Sequence, residues 1–279
     1  MQLNKILISL LIPGALMTIT GCDNIDEQDR YITIPKPVAK KKILLMEFTG
    51  NQCTNCPSGA AAIHEIQETY PGDVIAVGLH PRGGGPNTAP IGSQDFRCEE
   101  AQVMYEYYLP KGFPCAVFNG DKFHQNPEYI STAYSNWGSI AYDIIDHQEP
   151  ATMGIYGETS FNPSTRELTV DYAIDVYKNI TSNMSVMIWI MENDIVGFQL
   201  DGGTMLNNYV HNHVLRASMN GPWGQELPSL LLTEGSQITG TASMILDDKW
   251  VAGNCEVIIY TFHTSDRIVE QVSLVEVNE

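Results

Sequence analysis

From Ile43 to Phe48 the chain is apolar apart from Glu47, the pattern of a strand buried on both faces. An alanine-rich helical stretch follows over about 54–70, then a second apolar run, Val74 to Leu79. A helix over about 95–109, a strand from Ala116 to Phe118 and a short strand after Asn119-Gly120 come next. Ile130, Tyr134, Trp137, Ala141 and Ile144 recur at helical steps and predict a helix over about 128–147 with one face on the sheet. Beyond Glu149-Pro150 the period changes. Glu167 to Val176 alternates apolar and polar strictly, and strand-like runs follow at Met184 to Met191, Ile238 to Leu246, Glu256 to Phe262 and Ile268 to Val277. No convincing amphipathic helix interrupts them.

These patterns predict two domains, an α/β domain over 41–149 and an all-β sandwich of immunoglobulin-like type over 150–279. Such sandwiches commonly bind or space rather than catalyse. The segment from Pro81 to Pro90 is too rich in glycine and proline for a regular element and reads as an insertion loop or a rim beside the sheet. It lacks the Gly-Lys-Ser/Thr of a phosphate loop.

The N-terminus reads as an export signal over residues 1–21: Lys5, a mostly apolar stretch from Ile6 to Leu16, and Ile19-Thr20-Gly21-Cys22. Those last four residues resemble the bacterial lipobox, which implies lipidation of Cys22. Residues 22–40 then form a polar tether containing Pro35 and Pro37. Acidic residues outnumber Lys and Arg by 33 to 15, a net charge of −18, which argues against nucleic acid or an anionic membrane surface as partner. Contact with the membrane is expected through the lipid alone.

Cys53-Thr54-Asn55-Cys56 carries the clearest chemistry. Two thiols at this spacing at a helix start can bridge, and free amide N–H groups there favour a thiolate on the first. Cys53 is then the nucleophile and Cys56 the resolving thiol, while Pro57 fits a first helical turn. A structural disulfide is the rival reading. Zinc is disfavoured, because no second ligand pair of matching spacing exists. His211 and His213 share one side of an extended segment, a geometry able to hold a metal, but no third ligand lies nearby and ordinary hydrogen bonding is the preferred reading. No metal or other cofactor is expected. Cys98 and Cys115 could bridge, or Cys115 could be a buried thiol near Cys53; Cys255 reads as buried, and at least one cysteine is left unpaired.

The site resembles the thioredoxin family at several positions. Glu47, six residues before Cys53, matches the family's buried acid, and Gly112-Phe113-Pro114 followed by Cys115 to Gly120 looks like its cis-proline loop, strand and turn. The resemblance implies that Glu47 moves a proton to or from Cys56 and that Pro114 touches the cysteine pair. Gln52, where many members have tryptophan, and the central Thr54-Asn55 depart from the family and leave the direction of electron flow open.

The lipobox, the segment from Thr49 to Pro57, the Pro114 loop and His211 to Arg216 together resemble the outer-membrane lipoprotein family of Bacteroidetes named for an outer membrane protein of about 28 kDa. That implies an outer-membrane, lipid-anchored protein facing periplasm or cell surface. Two functions are consistent with the sequence: thiol-disulfide exchange on exported or surface proteins, or a non-enzymatic binding or adhesion lipoprotein stapled by a structural disulfide.

Overall fold

A computed structural model describes residues 38–277; Cys22, the export signal and most of the tether lie outside the described residues. The protein is mostly β, with mixed sheets and few helices. Strand β1 (Ile43–Phe48) pairs in parallel with β2 (Val74–Leu79), the helix α1 (Cys56–Thr69) making the crossover. Helix α2 (Glu99–Tyr108) follows, and β3 (Cys115–Phe118) returns antiparallel on the other side of β1. Two departures from the expected pattern occur here. The edge strand β4 is Ile130–Ser131, ten residues past Gly120, and helix α3 begins only at Trp137 and runs to His147. Ile130 therefore pairs with Val117 instead of joining the helical stripe, and the Trp137 indole N–H donates to the Ser131 carbonyl at 3.0 Å.

The remaining strands are β5 (Met153–Asn162), β6 (Glu167–Val176), β7 (Met184–Glu192), β8 (Ile195–Asp201), β9 (Thr204–His211), β10 (Val214–Ser218), β11 (Gln225–Glu226), β12 (Gln237–Ile245), β13 (Cys255–His263) and β14 (Val269–Glu276). They do not form a self-contained sandwich. One nine-stranded sheet runs β14-β13-β7-β10-β2-β1-β3-β4, with β11 also on β7, so strands from both sides of the predicted boundary at residue 149 lie in it. The join is narrow: Val214 pairs with Gly78, and the Gly78 N–H donates to the His213 carbonyl at 2.7 Å. From Val38 onward the chain is one compact unit.

Strand alternation divides the core into three. Ile43 and Leu45 face α1 and α3, together with Ile63, Ile66, Trp137 and Ile140. Leu44, Met46 and Phe48 face the other way, towards α2 and towards Trp189, Leu215 and Tyr260 of the C-terminal half. Strand β7 is buried along its whole length because it serves two cores: Met187, Trp189 and Met191 join the α2 side, while Val186, Ile188 and Ile190 meet the three-stranded sheet β12-β6-β5. The glycine-rich stretch winds into 3-10 turns over Arg82–Thr88, with Gly85 at φ +60° between them.

Gln271 ties the halves together beneath this core. Its carbonyl accepts from the Lys42 and Val272 N–H groups at 3.0 Å, and its amide donates to the carbonyls of Lys40 and Met153 at 3.0 and 3.2 Å. Gln271→Ala orphans these buried groups and is expected to cost about 1–3 kcal/mol. Denaturant unfolding should still show one transition, coincident for Trp137 and Trp189; two separated transitions would mean that the shared sheet does not couple the halves.

Candidate functional site

The disulfide sits where β1 gives way to α1. Cys53 and Cys56 are bridged, and both are buried at 2% exposure. The turn is closed by Cys53 N–H donating to the Gly50 carbonyl at 3.1 Å, and Pro57 occupies the first turn of α1, as expected. Gln52 fastens the turn to the 3-10 segment, its N–H donating to the Asn87 carbonyl at 2.9 Å and its side-chain amide to the Ala89 carbonyl at 2.9 Å.

Glu47, Gly59 and Pro114 converge behind the pair. Gly59 lies on the buried face of α1, three residues after Cys56. A Cβ there would come within 2.7 Å of Glu47 Oε1 and 3.0 Å of Pro114 Cβ and Cγ, so glycine is what lets acid and proline approach the helix. The Phe113–Pro114 peptide is cis. Glu47 Oε1 is buried with no hydrogen-bond partner, and desolvation raises the carboxyl from 4.5 to about 8, only partly offset by the Thr49 side chain. At neutral pH the group is a neutral acid with a proton to give. Cys115 faces away from α1, and burial together with the nearby Glu47 charge pushes its thiol up to about 12. Cys98, Cys115 and Cys255 are all free thiols.

What the sequence did not reveal is the cover. Strands β8 and β9 form a separate two-stranded hairpin that folds over the cysteine turn. Leu200 N–H donates to the Asn51 carbonyl at 2.9 Å and Gly202 N–H to the Thr54 carbonyl at 3.1 Å. The buried Gln199 amide reaches the carbonyls of Gly50 and Cys53 at 3.3 and 3.2 Å. Asp201 pairs with Thr204, leaving Gly202-Gly203 as a two-residue turn with φ +53° and +92°. An Asp-Gly-Gly turn between apolar positions is a hairpin signal, and it was the one available in the sequence.

The histidines do not form a metal pair. His211 ends β9, its Nε2 3.1 Å from the Phe198 carbonyl, whereas His213 turns out of the strand at φ +58°. His211, Phe96 and His80 meet edge to face in series with ring centroids 4.8 and 5.3 Å apart. Burial holds both histidines neutral, His80 at about 3 and His211 at about 4. Among the described residues no three His, Cys, Asp or Glu side chains gather as a metal site requires, and no helix is long and apolar enough to cross a membrane.

A family model described as outer membrane protein Omp28 matches residues 101–279, a span that includes Pro114 and the hairpin and begins after the cysteine turn. Among solved structures the chain is similar to HBP35 of Porphyromonas gingivalis, with a TM-score of 0.63 and 14% identity over 85% of this chain and 76% of that one. It is also similar to a protein of Agrobacterium tumefaciens, with a TM-score of 0.50 and 13% identity over 86% of this chain and 96% of that one. A domain of the outer membrane lipoprotein Omp28 from Porphyromonas gingivalis matches 46% of this chain and 97% of its own length at 18% identity, with a TM-score of 0.34. No curated protein matches. The first two likenesses extend over both halves, so the folded arrangement is shared well beyond the strands around the cysteines.

The buried acid makes stability depend on pH in a definite direction. Because the folded pKa, about 8, lies above the ordinary 4.5, the proton-linked stabilisation is complete below about pH 4.5 and is lost as pH rises through about 8. Glu47→Gln should remove most of this slope and be more stable than the natural protein above pH 8, by about 2–4 kcal/mol. Denaturant titrations across that window check it; parallel curves would mean that the carboxyl is solvated.

Proposed function

The chain belongs to the outer membrane protein Omp28 family, and from that premise we propose a lipid-anchored envelope protein, held at the membrane through Cys22, that exchanges disulfides with exported or surface proteins. In this reading residues 41–149 are a thioredoxin-like part, and the β-rich remainder is a sandwich of immunoglobulin-like type sharing its sheet. Cys53 is attacked by or attacks the partner, Cys56 resolves the mixed disulfide, Glu47 handles the proton, and Pro114 helps present the partner's backbone.

The observation that carries this is Glu47 Oε1, buried and without a partner beside the helix face that holds Cys56. Burying an unpartnered carboxyl costs stability, and a disulfide that served only as a staple would gain nothing from it. A neutral acid at that place supports protonation of a departing Cys56 thiolate. The order of elements from β1 to α3 and the cis Pro114 support the same reading.

One observation favours the alternative, a binding or adhesion lipoprotein with a structural disulfide: Cys53 is 2% exposed beneath the hairpin. Under the redox reading, the tip of the hairpin lifts before a partner sulfur can reach Cys53.

With protein lacking its lipid, Cys53→Ser should abolish disulfide exchange, and Cys56→Ser should trap partners as mixed disulfides. Gln199→Ala, which removes two bonds between hairpin and turn, should speed reduction of the pair by a small dithiol several-fold, since each lost bond is worth about 0.5–1.5 kcal/mol. A pair that stays unreactive in both proteins supports the structural disulfide.

A further inference from the structure

The hairpin closes the front of the disulfide, yet Glu47 is reached from behind. A cleft of about 380 Å³ opens between α1 and the chain around the end of β9, and Glu47 lines it together with His64, Tyr209 and His213. Its remaining walls are largely apolar, among them Ala61, Ile63 and Val210. The buried acid whose oxygen lacks a partner therefore borders a cavity large enough for several waters.

His213 is held in that wall by its backbone. Its N–H donates to the Asn193 side-chain carbonyl at 2.8 Å, its own carbonyl accepts from Gly78 at 2.7 Å, and its φ of +58° is left-handed. A non-glycine residue seldom adopts that conformation unless its surroundings dictate it, and here they place an imidazole in the cavity that Glu47 borders. We propose that this cleft is the route by which Glu47 exchanges protons with solvent, and that His213 is the positioning residue that passes them along it. The inference rests on the redox reading above and adds to it a second group, supplied by the C-terminal half of the chain.

A partner thiolate attacks Cys53 Sγ, the Cys53–Cys56 bond breaks, and Cys56 leaves as a thiolate that takes the Glu47 proton. Glu47, now a carboxylate in a buried site, recovers a proton through His213 and the cleft waters. A second thiolate of the same partner then attacks its own sulfur in the mixed disulfide and expels Cys53, so the partner is oxidised and the pair reduced by two electrons. Three facts bear on the role of His213: burial and the neighbouring His64 lower its imidazole to about 4, so the ring stays neutral and can take a proton on one nitrogen only as it gives one from the other; Tyr209 faces Glu47 closely enough for the carboxylate charge to raise its phenol, with burial the larger cause; and His64 stands exposed at the outer end, paired with Glu68. The groups facing Glu47 and His213 are thus Thr49, His64, Cys115 and Tyr209.

The test is the pH profile of dithiol oxidation by the lipid-free protein, with His213→Asn as the variant because asparagine tolerates the left-handed conformation. The expected result is a rate lowered about tenfold or more near neutral pH with a changed profile, and recovery on adding free imidazole. Glu47→Gln should not respond to imidazole. Val210→Trp, at the exposed rim, should slow the reaction in the same way with His213 intact. An active natural protein whose rate and profile are unchanged by both substitutions overturns the route while leaving the redox reading in place. A natural protein that oxidises no dithiol at any pH overturns the redox reading and this inference with it.

Discussion

A single backbone contact organises the site: the hydrogen bond from Gly78 to the His213 carbonyl, with the Val214–Gly78 pairing beside it. Strand β2 would otherwise be an edge, with unpaired groups facing water. By accepting β10 there, the sheet continues into β7, β13 and β14, and the chain just before β10 is fixed to β2 at Gly78. Two consequences follow from the one contact. The hairpin β8-β9 is directed over Cys53, and His213 is set into the cleft beside Glu47. Trp189 and Leu215 pack with Phe48 and Leu79 in the same core, so the join is held by apolar burial as well as by hydrogen bonds.

The result is a covered disulfide with a cleft beside the acid behind it. Three donor groups of the hairpin meet four carbonyls of the turn, while a cleft lined by α1 and His213 borders the acid. In the proposed redox reading, the two faces separate the sulfur chemistry from the proton chemistry. In that reading, exchange with a partner needs the tip of the hairpin to move, whereas the cleft bordering Glu47 is already open. The acid has an oxygen with no protein partner, which is costly in a buried site and fits the proposed role better than a purely structural one.

Much of this was legible locally. The apolar runs at β1 and β2, the alternation of β6 and the spacing of Glu47, Cys53, Cys56 and Pro114 follow from short-range pattern, and the structure brings Glu47 and Pro114 together at Gly59, beside the helix that starts at Cys56. Elements fixed by distant partners were not legible. Ile130 fits a helical stripe but is drawn into β4 by Val117, and β8 and β9 carry exposed apolar residues such as Val196 and Val210, which blur their alternation. The shared sheet could not be read at all, because one residue pair some 136 positions apart in the chain makes the join. His213 was visible as a candidate ligand; its left-handed turn is what separates it from His211 and gives it to Glu47's cleft instead.

The central claim is that the Cys53–Cys56 pair turns over, and its reduction potential tests that most directly. Equilibration of the lipid-free protein with thiol buffers should give a midpoint within the range of exchange proteins, roughly −270 to −120 mV. A midpoint below about −300 mV, with the pair resisting mild reductant even in Gln199→Ala, would contradict the account and leave a structural bridge.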